Sequence, residues 1–393
     1  MHKLKKIYNS KSKVKKLLLS AVAAGAAFML TACGAGNVAG NVVGDSAENP
    51  AASSAETSGN QSAQAGDKQK LQVVTTIFPE YDWVKEILGE QADNVELTLL
   101  LGNGTDMHSF QPTMEDILKV STCDVFIYVG GESDNWVADA LKGAGNPDRT
   151  AINLMEVLGD QVKEEEVVDG MQDEDGHTHV SAQENEESSA ETDSDGAEVH
   201  ADTTSGSAHE HDHEDLEYDE HVWLSLKNAS LFCDTIAETL GQADPEHAQL
   251  YQKNADAYEE KLAVLDEEYK QTVDQSQWKT LLFADRFPFR YLTDDYDLTY
   301  YAAFTGCSAE TDASFETITF LAGKLDELKL PVVLTIENSD QKVAKAVIEN
   351  TKTKDQKILS LNSMQSVTTQ EVEEGTTYLS IMENNLQVLK EAL

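Results

Sequence analysis

The side chains best suited to chemistry in this chain are its histidines. Six of the ten crowd into residues 164–220, as His177-Thr178-His179, His200 and His209-Glu210-His211-Asp212-His213-Glu214. Alternating imidazoles and carboxylates on a mobile chain bind zinc, nickel or copper weakly and at several sites. The same stretch holds 22 Asp or Glu and no Lys or Arg. That charge density cannot collapse into a core, so a disordered insertion is expected, with a purely solvating loop as the alternative use. Two further histidines sit in loops. His108 lies in Gly102-Asn103-Gly104-Thr105-Asp106-Met107-His108-Ser109-Phe110-Gln111-Pro112-Thr113, and His221 in Asp219-Glu220-His221-Val222-Trp223-Leu224. Ligands of open α/β sheets bind outside the carboxyl ends of the strands, and His108 follows a strand pattern at 95–101, so it is well placed to meet one. A surface or core-capping role stands as the alternative for each histidine. Cys307, in Thr305-Gly306-Cys307-Ser308 after another strand pattern, could approach the same place, although a buried or bridged cysteine is the weightier reading. The chain has no His-Glu-x-x-His helix and no Gly-x-Ser-x-Gly elbow, which speaks against a hydrolase.

The elements that must position these residues alternate in type. A β-rich run at 71–77 is followed by an amphipathic stretch at 80–88 and a stop at Gly89, and the alternation recurs at 95–101, 114–120, 124–129, 136–141 and 151–154. A second series runs through 280–284, 298–303, 315–328, 332–336, 342–349 and 357–361 to a closing helix at 371–393. Strands alternating with helices imply parallel sheets, hence an α/β fold of two lobes. Between the series, Asp244-Pro245 reads as an N-cap with proline at the first helical position, and Tyr251, Tyr258, Leu262, Leu265 and Tyr269 keep one apolar stripe to about Ser276. A helix of about 30 residues would be roughly 45 Å long, a rigid spine along both lobes. The expected domains are therefore an N-terminal lobe at 71–243 carrying the insertion 164–220, a linking helix at 244–276 and a C-terminal lobe at 277–393.

Composition bounds the partners. The 393 residues carry 71 acidic and 29 basic side chains, a net charge of −42, and seven of the lysines precede residue 17. Phosphate binding needs clustered Lys and Arg, so nucleic acid is excluded as a partner. The basic start, the apolar run 17–30 and Leu30-Thr31-Ala32-Cys33 form a secretory signal with a lipobox at 1–33. The run is short of the roughly 20 residues a membrane-spanning helix needs. Cys33 is thus the expected lipidation site and mature N-terminus, with an ordinary signal peptide as the alternative. Residues 34–70, rich in Gly, Ala, Ser, Asn, Gln and Glu, form a flexible tether. The body is expected outside the cell, lipid-anchored to the outer face of the membrane. Cys123, Cys233 and Cys307 leave room for one bridged pair.

The His108-Ser109-Phe110-Gln111-Pro112-Thr113 loop, Asp219-Glu220-His221-Val222-Trp223-Leu224 before Asn228, and Phe289-Arg290-Tyr291-Leu292 with Tyr296 and Leu298 together resemble the zinc- and manganese-binding receptor lipoproteins of ABC importers. The resemblance covers residues 71–393 and includes a closing helix with Asn385 near its middle. It implies two α/β lobes joined by a long rigid helix, a divalent metal in the cleft, and a membrane permease as partner of a monomeric receptor. It also implies that His108 and His221 are metal ligands. The family's third ligand, a histidine, falls at Arg286 and its fourth, an aspartate, at Asn362. Arginine cannot ligate and asparagine offers only a neutral oxygen.

Asp285 and Glu337 end the strand patterns 280–284 and 332–336, so they are the expected substitutes in a metal set of His108, His221, Asp285 and Glu337. Two imidazoles with carboxylates suit zinc well and manganese acceptably. Alternatively, Arg286 pairs with Glu337 or Asp285 and closes the lobes without metal. The His-rich insertion, in the place where zinc-importing members of the family carry one, favours zinc and would gather metal near the cleft. The function implied is capture of Zn2+ and its delivery to an ABC permease. The rival functions are a surface adhesin of the same family, a manganese receptor and a secreted zinc hydrolase.

Overall fold

The computed structural model describes residues 70–143, 145–172, 217–308 and 312–393, all within one compact unit. Cys33 and the insertion histidines His177, His179, His200, His209, His211 and His213 lie outside the described residues. Among the described residues no helix is long and apolar enough to cross a membrane.

Two four-stranded, all-parallel sheets form the two lobes. The first, β1 (Leu71–Thr75), β2 (Val95–Leu99), β3 (Val125–Tyr128) and β4 (Thr150–Asn153), has the order β2-β1-β3-β4. The second, β5 (Thr280–Phe287), β6 (Thr299–Thr305), β7 (Val332–Ile336) and β8 (Lys357–Leu361), repeats it as β6-β5-β7-β8. Strand order reverses between the first and third strand of each lobe, and loops leaving the carboxyl ends there are free to hold a ligand.

The helices of the first lobe are α1 (Phe78–Leu88), α2 (Met114–Thr122), α3 (Val137–Leu141) and α4 (Leu154–Leu158). Their starts are chemically specified. The buried Glu80 carboxylate accepts from the backbone N–H groups of Thr76 at 2.8 Å and Ile77 at 3.2 Å, while Thr113 and Asp116 exchange bonds as a capping box at the head of α2. That second cap ends the His108 loop at a fixed point. Two long helices follow, α5 (Leu226–Ala243) and α6 (Ala248–Gln275). The second lobe carries α7 (Arg290–Asp295), α8 (Phe315–Leu328), α9 (Lys342–Glu349), α10 (Thr369–Glu373) and α11 (Tyr378–Ala392).

At 28 residues, α6 is about 42 Å long. It starts three residues later than the Asp244-Pro245 pattern suggests. Asp244 instead ends α5, and its carboxylate takes bonds from His247 Nδ1 at 2.6 Å and the Tyr251 hydroxyl at 2.8 Å, which pins the turn between the two helices.

One apolar core runs through both lobes along the spine, from Trp83 and Phe232 through Tyr251, Tyr258 and Tyr269 to Tyr378 and Leu389. Each such side chain, fully buried, contributes about 1.5–3 kcal/mol. Polar bonds cross the same boundary: Tyr378 N–H to Asp82 Oδ2 at 2.8 Å, the Tyr378 hydroxyl to the Trp223 carbonyl at 2.7 Å, and Trp223 Nε1–H to the Ser363 carbonyl at 2.8 Å. The lobes are thus cemented on the spine side.

The edges of the expected disordered insertion are ordered, which corrects the boundary 164–220. Glu164 pairs antiparallel with Tyr218, Met171 is fully buried, and Gln172 donates its N–H to the Ala303 carbonyl at 2.9 Å on β6. Composition averaged over the whole stretch hid these anchors.

Candidate metal centre

His108 sits on a single helical turn, Met107–Ser109, in the loop after β2. Buried Met107 anchors the turn, and Asp106 Oδ1 caps it by accepting the His108 N–H at 3.0 Å. The ring is held through Nδ1, 2.9 Å from Ser133 Oγ in the loop after β3. His221, fully buried, precedes a buried turn at Val222–Leu224 that leads into α5. Asp219 Oδ1 accepts both its backbone N–H at 2.8 Å and its Nδ1–H at 2.9 Å. Each imidazole is therefore gripped at Nδ1, and the two Nε2 atoms face one another 3.2 Å apart.

Glu220 supports the pair from below. Its Oε1 accepts the Ser133 N–H at 2.9 Å. Its Oε2 is buried without a hydrogen-bond partner, 3.7 Å from His108 Nδ1, which favours the Nδ1–H tautomer and leaves Nε2 as a lone pair. The carboxylate fits only because residue 131 is glycine. Gly131 has φ +80, and a Cβ there would lie 2.3 Å from Glu220 Oε1.

Burial first, then the neighbouring His221, drives the His108 imidazole down to about 3. Burial also opposes charge on His221, but the charge and hydrogen bond of Asp219 prevail and raise it above the ordinary histidine value. His108 is therefore neutral near neutral pH, its Nε2 free to donate a lone pair. Such a pair of basic nitrogens, each oriented by a second group, is how proteins present imidazoles to a metal.

The second lobe closes the site with Gln365, from the loop after β8. Its amide nitrogen lies 3.2 Å from His108 Nε2 and touches His221 Nε2. The two lone pairs are satisfied by one neutral amide. Cys307, just past the end of β6, also reaches the site: its Sγ and one ring nitrogen each of His108 and His221 lie within 4.8 Å of one another. Burial, then the carboxylates of Glu165, Asp219 and Glu220, hold its thiol well above the ordinary thiol range.

The expected carboxylates are placed differently. Asp285 and Glu337 line a cavity of about 500 Å3 beside the histidines, with Asp106, Arg286 and Gln365. Asp285 Oδ1 accepts the Arg286 N–H at 2.9 Å, and Glu337 spends both oxygens on Ser363, at 2.7 Å from its N–H and 2.7 Å from its hydroxyl. Neither joins the cluster of ligating groups around the two histidines. Arg286 pairs with neither of them but with Asp106, Nη2 to Oδ2 at 2.7 Å, joining the second lobe to the cap of the His108 turn. Asn362 Oδ1 accepts the Met364 N–H at 2.7 Å and so shapes its own loop. No disulfide forms among the described residues: Cys123, Cys233 and Cys307 are free.

Asp219 and Glu220 were visible as neighbours of His221, but Ser133 and Gln365 carry no local signal. They reach the histidines from distant strand ends, through folding alone.

Two parallel α/β lobes on a helical spine, with paired imidazoles between them, have the architecture of a two-lobed binding protein with a site suited to a metal ion. Residues 73–392 match the ZnuA model, zinc-uptake complex component A, periplasmic, and the chain belongs to that family. The zinc-binding lipoprotein AdcA of Streptococcus pneumoniae is 29% identical over 328 residues, 82% of this chain and 56% of AdcA. This chain thus spans little more than half the length of that relative. The Zn(II)-bound ZnuA-like domain of the same AdcA superposes with a TM-score of 0.59 at 25% identity, covering 82% of this chain and 99% of the domain. A laminin-binding protein of Streptococcus agalactiae, described as a bifunctional adhesin and metal transporter, shares the fold with a TM-score of 0.58 at 21% identity, covering 82% and 99%.

Proposed function

We propose that the chain is the extracytoplasmic receptor of a zinc importer, which captures Zn2+ between its lobes and delivers it to the permease of an ABC transporter. The spacing of the two Nε2 atoms carries this reading. Two nitrogens about 2.05 Å from a tetrahedral zinc lie about 3.3 Å apart, and His108 and His221 hold theirs at 3.2 Å without the ion. Zinc displaces the Gln365 amide and takes both lone pairs. Nitrogen donors also favour zinc over manganese, which prefers oxygen. In this reading Cys33 carries the lipid anchor, and the receptor works as a monomer.

Release to the permease must respect the common core, which resists a wide hinge. Loading and unloading proceed by movement of the loops that carry Gln365 and Cys307. Small-angle scattering of loaded and metal-free protein should give nearly equal radii of gyration; a large compaction would contradict this. The capture step is tested by competitive zinc titration. One tightly held zinc lost in His108→Ala and in His221→Ala supports it, and tight binding that survives both substitutions refutes it.

The insertion histidines gather zinc for the cleft in the same proposal. Since residues 164–172 are anchored on both lobes, the deletion that tests this should spare them and remove 173–216. Unchanged zinc uptake at limiting zinc would count against the gathering role.

A further inference from the structure

We infer that Cys307 is the third zinc ligand, making the site a His2Cys centre in which the second lobe contributes a thiolate. This deepens the receptor reading and rests on it. Two neutral imidazoles leave a bound Zn2+ short of donors and of negative charge, and among the described residues the only His, Cys, Asp or Glu side chain grouped with both histidines is Cys307. Asp285 and Glu337 are turned to other donors, and Arg286 is held by Asp106.

The loop that carries Cys307 is built against the histidines. A Cβ on Gly306 would lie 3.0 Å from His221 Cε1 and 2.9 Å from the Phe287 carbonyl, so the backbone rests directly on the imidazole. The Cys307 N–H is tied to Glu165 Oε1 at 3.1 Å, which fixes the turn from the anchored edge of the insertion. A second observation fits a cation bound at His108. Glu220 Oε2, with its side chain 2% exposed and no hydrogen-bond partner, lies 3.7 Å from His108 Nδ1, a negative group set directly behind a ligand.

Geometry requires little movement. In a tetrahedral zinc site with Zn–N of about 2.05 Å and Zn–S of about 2.3 Å, sulfur lies about 3.6 Å from each nitrogen. Sγ already lies within 4.8 Å of a ring nitrogen of each histidine, so a local adjustment of the Cys307 side chain and its loop brings sulfur to an ion held by the two imidazoles. On loading, the S–H bond breaks, a Zn–S bond forms, and the proton passes to a buffer base. One proton is released per zinc from this group. A thiolate also excludes manganese, whose preference is for oxygen donors.

Cobalt tests the assignment, because thiolate–cobalt bonds give an intense near-ultraviolet charge-transfer band and imidazole–cobalt bonds do not. The full chain would carry Cys33→Ala, leaving Cys123, Cys233 and Cys307 as its thiols. The expected result is one equivalent of Co2+ with that band, unaffected by excess Mn2+ and bleached by Zn2+. Cys307→Ser should abolish the band and weaken zinc by more than about tenfold, since even an outer partner of a ligand commands about 10–100-fold. A bound cobalt in the unsubstituted chain that shows no thiolate band, or a band that persists in folded Cys307→Ser, overturns the inference. The receptor reading falls separately, if zinc binding survives His108→Ala and His221→Ala.

Discussion

Asp219→Asn isolates the grip on His221 from the shape of the site. The carboxylate accepts two bonds from that residue, from the N–H at 2.8 Å and from Nδ1–H at 2.9 Å, in a fully buried setting. Asparagine keeps the size and an accepting oxygen but removes the charge. Bonds to a charged group are worth about 1.5–3 kcal/mol against about 0.5–1.5 for neutral ones, so each loses about 1 kcal/mol. Only the Nδ1 bond is coupled directly to the metal, with the backbone bond setting the ring's position. The loss in zinc binding is therefore about 1–2 kcal/mol, or about 5–30-fold in Kd. Competition with a fluorescent chelator at about pH 8, where protons compete least for His221, reads that loss. The parent's advantage narrows in acid. Asp219 raises the His221 pKa, so in the parent chain protons compete with zinc at a higher pH than in the variant. The affinity ratio of parent to variant should shrink as pH falls from about 8 to about 6. An affinity within about twofold of the parent at pH 8, in a variant that melts normally, would refute the role given to Asp219.

Gly306→Ala should push the His221 ring and the Phe287 carbonyl apart, costing about 1–3 kcal/mol in thermal unfolding and weakening zinc as well; a variant with parental stability and affinity would contradict the close approach. Arg286→Met removes the pair with Asp106, whose side chains are 19% and 23% exposed. Discounted for solvent, that is about 1 kcal/mol or a fall of about 2 °C in Tm, with zinc affinity nearly unchanged because Asp106 still caps the His108 turn; a large affinity loss would make Arg286 part of the site. Burial, before any charge, pushes Asp82 up to about 6. A carboxyl raised in the folded state stabilises most below its ordinary pKa, and that contribution is lost as pH rises through about 6. Asp82→Asn keeps an acceptor for the Tyr378 N–H. Its stability relative to the parent should therefore improve between about pH 4 and pH 7, by up to about 3 kcal/mol, and melting curves across that range showing no convergence or gain would refute it.

The two lobes were legible because parallel βα units leave a repeated pattern of short β-rich runs and amphipathic stretches. His108 and His221 were legible for a related reason, since each lies in a polar, sharply bounded loop outside a regular element. Asp285 and Glu337 showed the limit of strand-end reasoning. They do face the cleft's adjoining cavity, but the register of β5 shifts between Phe283 and Arg286, and Ser363 supplies two donors that capture Glu337. Sequence alone favours a core or bridged thiol at Cys307, because its neighbours are set by how the chain after β6 lies over His221, a contact between segments far apart in the chain. The start of α6 departs from the sequence pattern because an Asp-Pro pair serves a helix–helix turn as readily as an N-cap. The anchored edges of the acidic insertion were hidden by the charge around them.

The most direct test of the account is a competitive zinc titration with metal analysis on the full chain, with residues 173–216 removed so that the insertion histidines do not contribute. The account predicts one tightly held zinc per chain, lost with His108→Ala and with His221→Ala. A chain that folds and binds no zinc tightly, or binds it equally well without those imidazoles, would contradict it.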